Sequence, residues 1–330
     1  MLPKVAVCND YIRGVNGEEV LWSYLCDKIP NAVGVDSRLL KTTNTNPQSH
    51  VLIKRYLDTL LSRPTKIIII QNATFMGTVD PNRHTVMYLQ DDLRKMGRAN
   101  HPNGRQQTQN LKLAHTRVCN SRITAKSYSE YKFEIIPIGV NHELFTPIRN
   151  ELFTPMFTPK QSKPVGIFVG ALNEIKGWTE INRIIHQRQD IFFIVVSKYN
   201  DGTCKAPNSV TYNCIDQQLL VSLLNSADFF ILGSPVETQC LAAMEACLCD
   251  VPVIMKPTGI FMDFDQSDRD LCGYFTNDLE GCIDKVLTAP QSRFQPRNVM
   301  LKHDLTIDGM IRKWVELLDH LNSSSKLAMK

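Results

Sequence analysis

The sequence predicts an α/β protein made of two doubly wound domains, each a parallel sheet covered by helices on both faces. Three observations carry this expectation. Short apolar runs alternate with amphipathic stretches along most of the chain, the pattern of buried parallel strands joined by crossover helices. Near the middle the alternation stops in a proline-spaced tract, where Glu143-Leu-Phe-Thr-Pro147 recurs as Glu151-Leu-Phe-Thr-Pro155 ahead of Phe157-Thr-Pro159. Prolines so spaced continue neither helix nor sheet and read as a linker. Finally, 330 residues are enough for two ordinary cores.

The elements follow in order. In the first half, strands are expected at 5–8, 67–71, 86–90, 117–120 and 134–137, with helical periodicity at 18–28, 51–61 and 124–131. In the second half, strands are expected at 166–169, 192–196, 210–213, 229–232, 252–255 and 273–275. Helices are expected there at 178–187, 217–225, 241–249 and 279–287, and a last amphipathic stretch covers 307–321. The domains therefore read as 1–145 and 163–305, with a linker at 146–162 and a C-terminal helix within 306–330. Two such domains would face each other across a cleft at the carboxyl ends of their strands, where open α/β sheets bind ligands.

Composition excludes several classes. No apolar run approaches the ~20 residues of a membrane span, and no signal-peptide core is present, so the expected location is cytoplasmic. Ten cysteines without paired spacing suit a reducing compartment. Cys247 and Cys249 lack a partner pair for zinc, while Cys8, Cys119 and Cys240 lie in or beside apolar strands; all read as small core residues.

Charge is uneven. Residues 1–150 hold 20 Lys and Arg against 12 Asp and Glu, whereas the rest hold 17 against 21. The excess concentrates between Arg94 and Lys132, where nine basic residues face one acid, Glu130. Within it, 100–110 is a polar segment that reads as a phosphate-tracking loop.

The densest signal is the run from Gly233 to Ile254. A buried strand at 229–232 leads into a tight loop, a helix near 241–249 and the next strand. Glu237 stands at the mouth of that helix and Glu245 two turns inside it. A helix N-terminus presents free N–H groups and partial positive charge, which suits phosphate. A carboxylate beside such an anion suits hydroxyls instead, so the pair points to a phosphorylated sugar or ribose. The ordinary alternative is one surface and one helix-facing glutamate of an α/β unit.

With Ser234-Pro235 before it and Pro252-Val253-Ile254 after it, this spacing resembles the E-x7-E motif of the family-4 glycosyltransferases, retaining enzymes of the GT-B fold. The resemblance implies that Glu237 contacts the donor sugar and Glu245 the nucleotide ribose. It extends to Phe168-Val-Gly170-Ala-Leu-Asn-Glu-Ile-Lys176-Gly177-Trp178, where the family carries glycine-arginine and then lysine-glycine to hold the donor diphosphate. Gly170 and Lys176 match. Ala171 stands in place of the arginine, and Lys198 is the candidate replacement cation. The resemblance further implies the nucleotide base beside Cys214 and Ile215, and backbone N–H groups of Thr238, Gln239, Cys240 and Leu241 on phosphate or sugar. The family often has glycine-aromatic-glycine at 238–240, so Thr-Gln-Cys there would narrow the sugar pocket. The strings 173–178 and 237–241 look most like bacteriophage members.

In the first domain the resemblance is thinner. Asn16-Gly17 stands where the family has a glycine pair after strand one, with Arg13 just before it. Gln90 replaces a usual histidine at the end of the strand near 86–90, which leaves Asp91 as the acid nearest the reacting carbon and Asp92 as a cap. Segments 120–128 and 136–147 complete the match, and the C-terminal helix is expected to cross back to this domain. By analogy the leaving phosphate itself takes the acceptor's proton, no metal is needed, and no cofactor is tightly bound. The co-substrate is a nucleoside-diphosphate-sugar, with UDP the expected nucleotide.

Catalysis is thus expected from Asp91, Lys176 and Glu237. Acceptor contacts are expected from Arg13, Gln90, Arg94, Lys95, Arg98 and Arg105. The basic tract favours DNA carrying a hydroxymethylated base such as 5-hydroxymethylcytosine, flipped from the duplex to be glycosylated. The competing readings are a cell-surface glycan or lipid-linked acceptor, and a non-catalytic GT-fold protein that binds nucleic acid.

Overall fold

A computed structural model of the chain describes residues 5–9, 17–36, 67–71, 84–148, 163–197 and 202–327. The predicted helix at 51–61, Arg13, Lys198 and most of the linker lie outside the described residues. The chain divides into two compact units: Met1–Gly139 with Ile307–Lys330, and Val140–Thr306.

The first unit holds a six-stranded sheet in the order β2-β1-β3-β4-β5-β6. Its strands are β1 (Val5–Asn9), β2 (Ala32–Asp36), β3 (Ile67–Gln71), β4 (His84–Leu89), β5 (Thr116–Cys119) and β6 (Glu134–Ile135). Every pairing is parallel, and β1 lies between β2 and β3 with Val5 opposite both Ala32 and Ile67. In β4 four successive residues, 86–89, are fully buried, so both sheet faces are covered and no polar alternation survives. Helix α1 (Gly17–Lys28) follows β1, and α2 (Pro102–Leu113) connects β4 to β5.

Two expectations are corrected here. The segment 100–110, read as a loop, is largely α2: the His101 ring accepts from Asn103 N–H, and Pro102 occupies the first turn, where its missing donor costs nothing. The helix was hidden because part of its buried face is polar, Gln107 and Asn110 beside Leu111. The helix read at 124–131 is the shorter α3 (Arg122–Lys126), opened by the Ser121 hydroxyl accepting from Thr124 N–H.

The second unit holds β7 (Val165–Val169), β8 (Phe192–Ser197), β9 (Ser209–Asn213), β10 (Phe229–Leu232), β11 (Val253–Met255) and β12 (Gly273–Phe275). Their order is β12-β11-β10-β7-β8-β9. The helices are α4 (Trp178–Gln187), α5 (Gln217–Asn225), α6 (Leu241–Leu248), α7 (Gln266–Cys272), α8 (Glu280–Leu287) and α9 (Pro296–Lys302). Helix α10 (Ile307–Leu327) belongs to the first unit, where fully buried Trp314 meets Tyr88 edge-on at 5.2 Å.

The chain runs outward from β7 through β8 to β9, returns to place β10 beside β7, and continues the other way through β11. The connections after β7 and β10 therefore depart in opposite directions and leave a crevice at their carboxyl ends, the position where doubly wound sheets take ligands. Packing beneath is close. Phe193 and Phe229 cross edge-on at 6.2 Å, and a Cβ on Gly166 would stand 2.6 Å from the Phe229 ring. Cys240, Cys247, Cys249, Cys272 and Cys282 are buried free thiols, and among the described residues no His, Cys, Asp and Glu group is arranged to hold a metal.

Candidate functional site

The crevice between β7 and β10 collects the main second-half signals. After β7 the chain turns at Gly170, whose missing Cβ leaves room for Lys176: a Cβ would lie 3.3 Å from that side chain's Cγ. Asn173 then caps a short 3₁₀ turn over Glu174–Lys176, its Oδ1 accepting from Lys176 N–H at 3.2 Å. Gly177 leaves the turn at φ 69°, left-handed backbone that glycine adopts without strain. Its neighbour across the crevice is Gly233, just past β10; a Cβ on Gly177 would be 2.2 Å from the Gly233 carbonyl oxygen. The two glycines let the loops touch backbone to backbone.

Contact at that point brings the signature side chains together. Lys176 Nζ donates to Glu237 Oε1 at 2.6 Å, with 33% of the lysine side chain and 10% of the glutamate exposed. The loop carrying Glu237 is fastened on two sides. Ser234 donates to the Ile175 carbonyl at 2.7 Å. Thr258, after β11, accepts from Glu237 N–H at 2.8 Å, and Gly259 N–H donates to the Glu237 carbonyl at 3.2 Å. A carboxylate so held cannot drift from the helix mouth.

Downstream, Gln239 is 1% exposed and its amide donates to Met244 Sδ at 3.3 Å, so its side chain turns into the unit. Cys240 is also buried and takes φ 72°, ψ 70° as it opens α6. Any ligand contact by Gln239 and Cys240 falls to the main chain, while Thr238 and Leu241 keep half-buried side chains. Glu245 lies on α6 with no side-chain hydrogen bond or ion pair to another described residue, and burial lifts its carboxyl to about 8. A half-buried carboxyl without a counter-charge is costly to keep in a fold, and such perturbed groups gather at functional sites. Ala171 and Leu172 are half-buried. Cys214 is exposed after β9, its N–H donating to the Ser197 carbonyl at 2.9 Å, and Ile215 packs on the core.

In the first unit, Gly17 begins α1 and Gln90 follows β4, 2% exposed, its carbonyl accepting from Asn120 at 3.1 Å. Half-buried Asp91 is positioned through its carbonyl, which accepts from the Gln107 amide at 3.0 Å; Gln107 in turn accepts from Tyr128 hydroxyl. Asp92 caps the next turn, accepting from Lys95 N–H at 3.0 Å.

The basic tract divides. Arg94 is committed within the unit: it pairs with Glu130, donates to the Ser127 carbonyl at 3.0 Å and lies 4.2 Å over the Tyr128 ring. Its hydrogen bond holds the Glu130 carboxyl below the usual range. Arg117 bonds the Leu111 carbonyl and covers Tyr131. Arg105 donates to the Asn100 carbonyl, yet it, Lys95 and Arg98 remain exposed.

Sequence reasoning had Ser234 as part of the motif but not as a brace, and it missed Thr258 and a second ion pair in which Lys256 Nζ meets Glu180 Oε2 at 2.7 Å. The Pro-Thr-Gly stretch at 257–259 was the available signal, being turn chemistry directly after a strand.

No protein-family model matches the chain, and no curated protein sequence matches it. Solved structures do. Sucrose-phosphate synthase from Thermosynechococcus elongatus superposes with a TM-score of 0.77 at 14% identity, over 98% of this chain and 100% of that one. Anabaena Alr3699/HepE in complex with UDP-glucose gives 0.74 at 14% identity, over 97% and 99%. WaaG, a glycosyltransferase involved in lipopolysaccharide biosynthesis, gives 0.72 at 13%, over 95% and 99%. With two parallel six-stranded sheets and these likenesses across nearly its whole length, the chain has the GT-B fold.

Proposed function

We propose that the chain is a glycosyltransferase that moves a sugar from a nucleoside-diphosphate-sugar to an acceptor hydroxyl with retention of configuration. The observation that carries this reading is the Lys176–Glu237 pair at the β7/β10 crevice, with Glu245 just beyond it, one turn inside α6. Lys176 would leave Glu237 for the leaving phosphate, where a well-placed cation lowers the barrier by about 3–4 kcal/mol. Glu237, released, would accept from sugar hydroxyls, and Glu245 from the ribose. Main-chain N–H groups at 238–241 add the field of the helix start. The HepE complex with UDP-glucose supports a nucleotide-sugar donor for this fold. Asp91, fixed through Gln107, is the acid proposed near the reacting carbon, whereas the Gln90 side chain is buried and is not proposed to reach the acceptor.

The acceptor proposed first is DNA with a hydroxymethylated base, as in the bacteriophage enzymes that 173–178 and 237–241 resemble. Its support is the exposed set Lys95, Arg98, Arg105, Lys112, Lys126 and Lys132, with only Glu130 opposing them in the tract and already taken by Arg94. Phosphate binding by such a set falls steeply with salt. A glycan or lipid-linked acceptor is the second reading, favoured by the fold shared with WaaG. A panel of UDP-sugars incubated with 5-hydroxymethylcytosine duplex DNA or with lipid-linked glycan, followed by mass spectrometry, tests both. A hexose or pentose mass on the DNA base is expected. Transfer only to glycan would replace the first acceptor by the second, and neither transfer nor donor hydrolysis would refute the enzyme reading.

A further inference from the structure

A nucleoside diphosphate brings at least two negative charges, and Lys176 at the crevice already faces Glu237. A further cation is needed to offset them. The loop after β11 supplies one. Lys256 directly follows Met255, and its Nζ lies 2.7 Å from Oε2 of Glu180, in the first turn of α4; the two side chains are 25% and 28% exposed. The pair is screened by its surroundings and still reachable from solvent.

Backbone contacts fix where this lysine can be. Two residues on, Thr258 Oγ1 accepts from Glu237 N–H, and Gly259 N–H donates to the Glu237 carbonyl. Gly259 sits at φ +73°, and a Cβ there would be 2.8 Å from the Gln239 carbonyl oxygen, so the β11 loop is pressed against the Glu237 loop. Glu180 is three residues past Gly177, whose backbone touches Gly233. Lys176, Glu237 and Lys256 therefore stand on three successive connections of one sheet edge, after β7, β10 and β11.

We propose that Lys256 is the second diphosphate-binding cation of this site; the assignment rests on the nucleotide-sugar reading above. Each lysine is paired with a glutamate, Lys176 with Glu237 and Lys256 with Glu180. On binding, each ammonium exchanges its carboxylate for phosphate oxygens, leaving Glu237 to the sugar hydroxyls and Glu180 to solvent. The exchange is cheap on the Lys256 side, because a partly exposed single ion pair contributes little to the stability of a fold.

Calorimetric titration of the full chain with uridine, UMP and UDP tests this. Lys256→Ala is expected to weaken UDP at least about tenfold, UMP less and uridine not at all, with Lys256→Arg restoring most of the loss and Glu180→Gln leaving UDP binding equal or tighter. Equal losses on uridine and UDP, or a Glu180→Gln loss matching that of Lys256→Ala, would make the pair merely structural and overturn the assignment. UDP affinity unchanged in Lys256→Ala but lowered in Lys176→Ala overturns the role of Lys256 alone. A wild-type chain that binds no UDP overturns the donor reading with it.

Discussion

Glu245→Gln is the perturbation whose size follows most directly from the structure. Burial raises the folded carboxyl from its ordinary 4.5 to about 8, with no ion-pair partner for it among the described residues. The folded chain therefore holds this proton more tightly than the unfolded chain. That contribution is complete below about pH 4.5 and is lost progressively as pH rises to about 8. At about 1.36 kcal/mol per pH unit the full span is worth about 5 kcal/mol. Glutamine has nearly the same shape and does not titrate. Relative to wild type, the variant should therefore gain about 3 kcal/mol between about pH 5.5 and about pH 8.5. Urea unfolding of both proteins at several pH values, followed by circular dichroism, reads the difference directly. Parallel profiles for the two proteins would mean that the carboxyl titrates as if in water, and the reasoning about a desolvated, unpartnered Glu245 would be refuted.

Further outcomes are expected elsewhere in the site. Lys176→Ala and Glu237→Ala should each lower turnover with a UDP-sugar at least about a hundredfold, since each removes charge from the reacting region; unchanged rates would place the chemistry away from the β7/β10 crevice. Gly177→Ala forces a side chain into left-handed backbone, about 1 kcal/mol, and puts its Cβ 2.2 Å from the Gly233 carbonyl oxygen. The loops must separate, so UDP affinity and thermal midpoint should fall together, whereas a wild-type midpoint would show that the loops do not touch. Thr258→Val leaves Glu237 N–H without its acceptor, at about 1–3 kcal/mol. Turnover should drop, and Thr258→Ser should restore it.

How much was legible depended on whether a signal was local. Apolar runs such as Phe229–Leu232 announced buried parallel strands because both of their faces are covered. The Glu237–Glu245 spacing was likewise visible, since one short loop and the start of α6 hold both glutamates within a single local stretch of chain. Strand β2, Ala-Val-Gly-Val-Asp, was missed as short and glycine-containing, and α2 because polar Gln107 and Asn110 are buried in it. Gln107 is buried to hold the Asp91 carbonyl, a need that only the folded neighbourhood creates.

By itself the sequence determined the two-domain α/β plan, the lysine turn after one strand and the paired glutamates after another. Only the tertiary structure decided that β10 lies beside β7, which sets Lys176 2.6 Å from a glutamate 61 residues away. It also decided that β11 follows on the same edge, bringing Thr258 and Lys256 to that loop. It tied Arg94 to Glu130 and to the Tyr128 ring and left Arg98 exposed, although both read alike as basic residues. Strand order is settled by which apolar faces bury one another across the whole sheet, and that energy is shared among residues far apart in the chain.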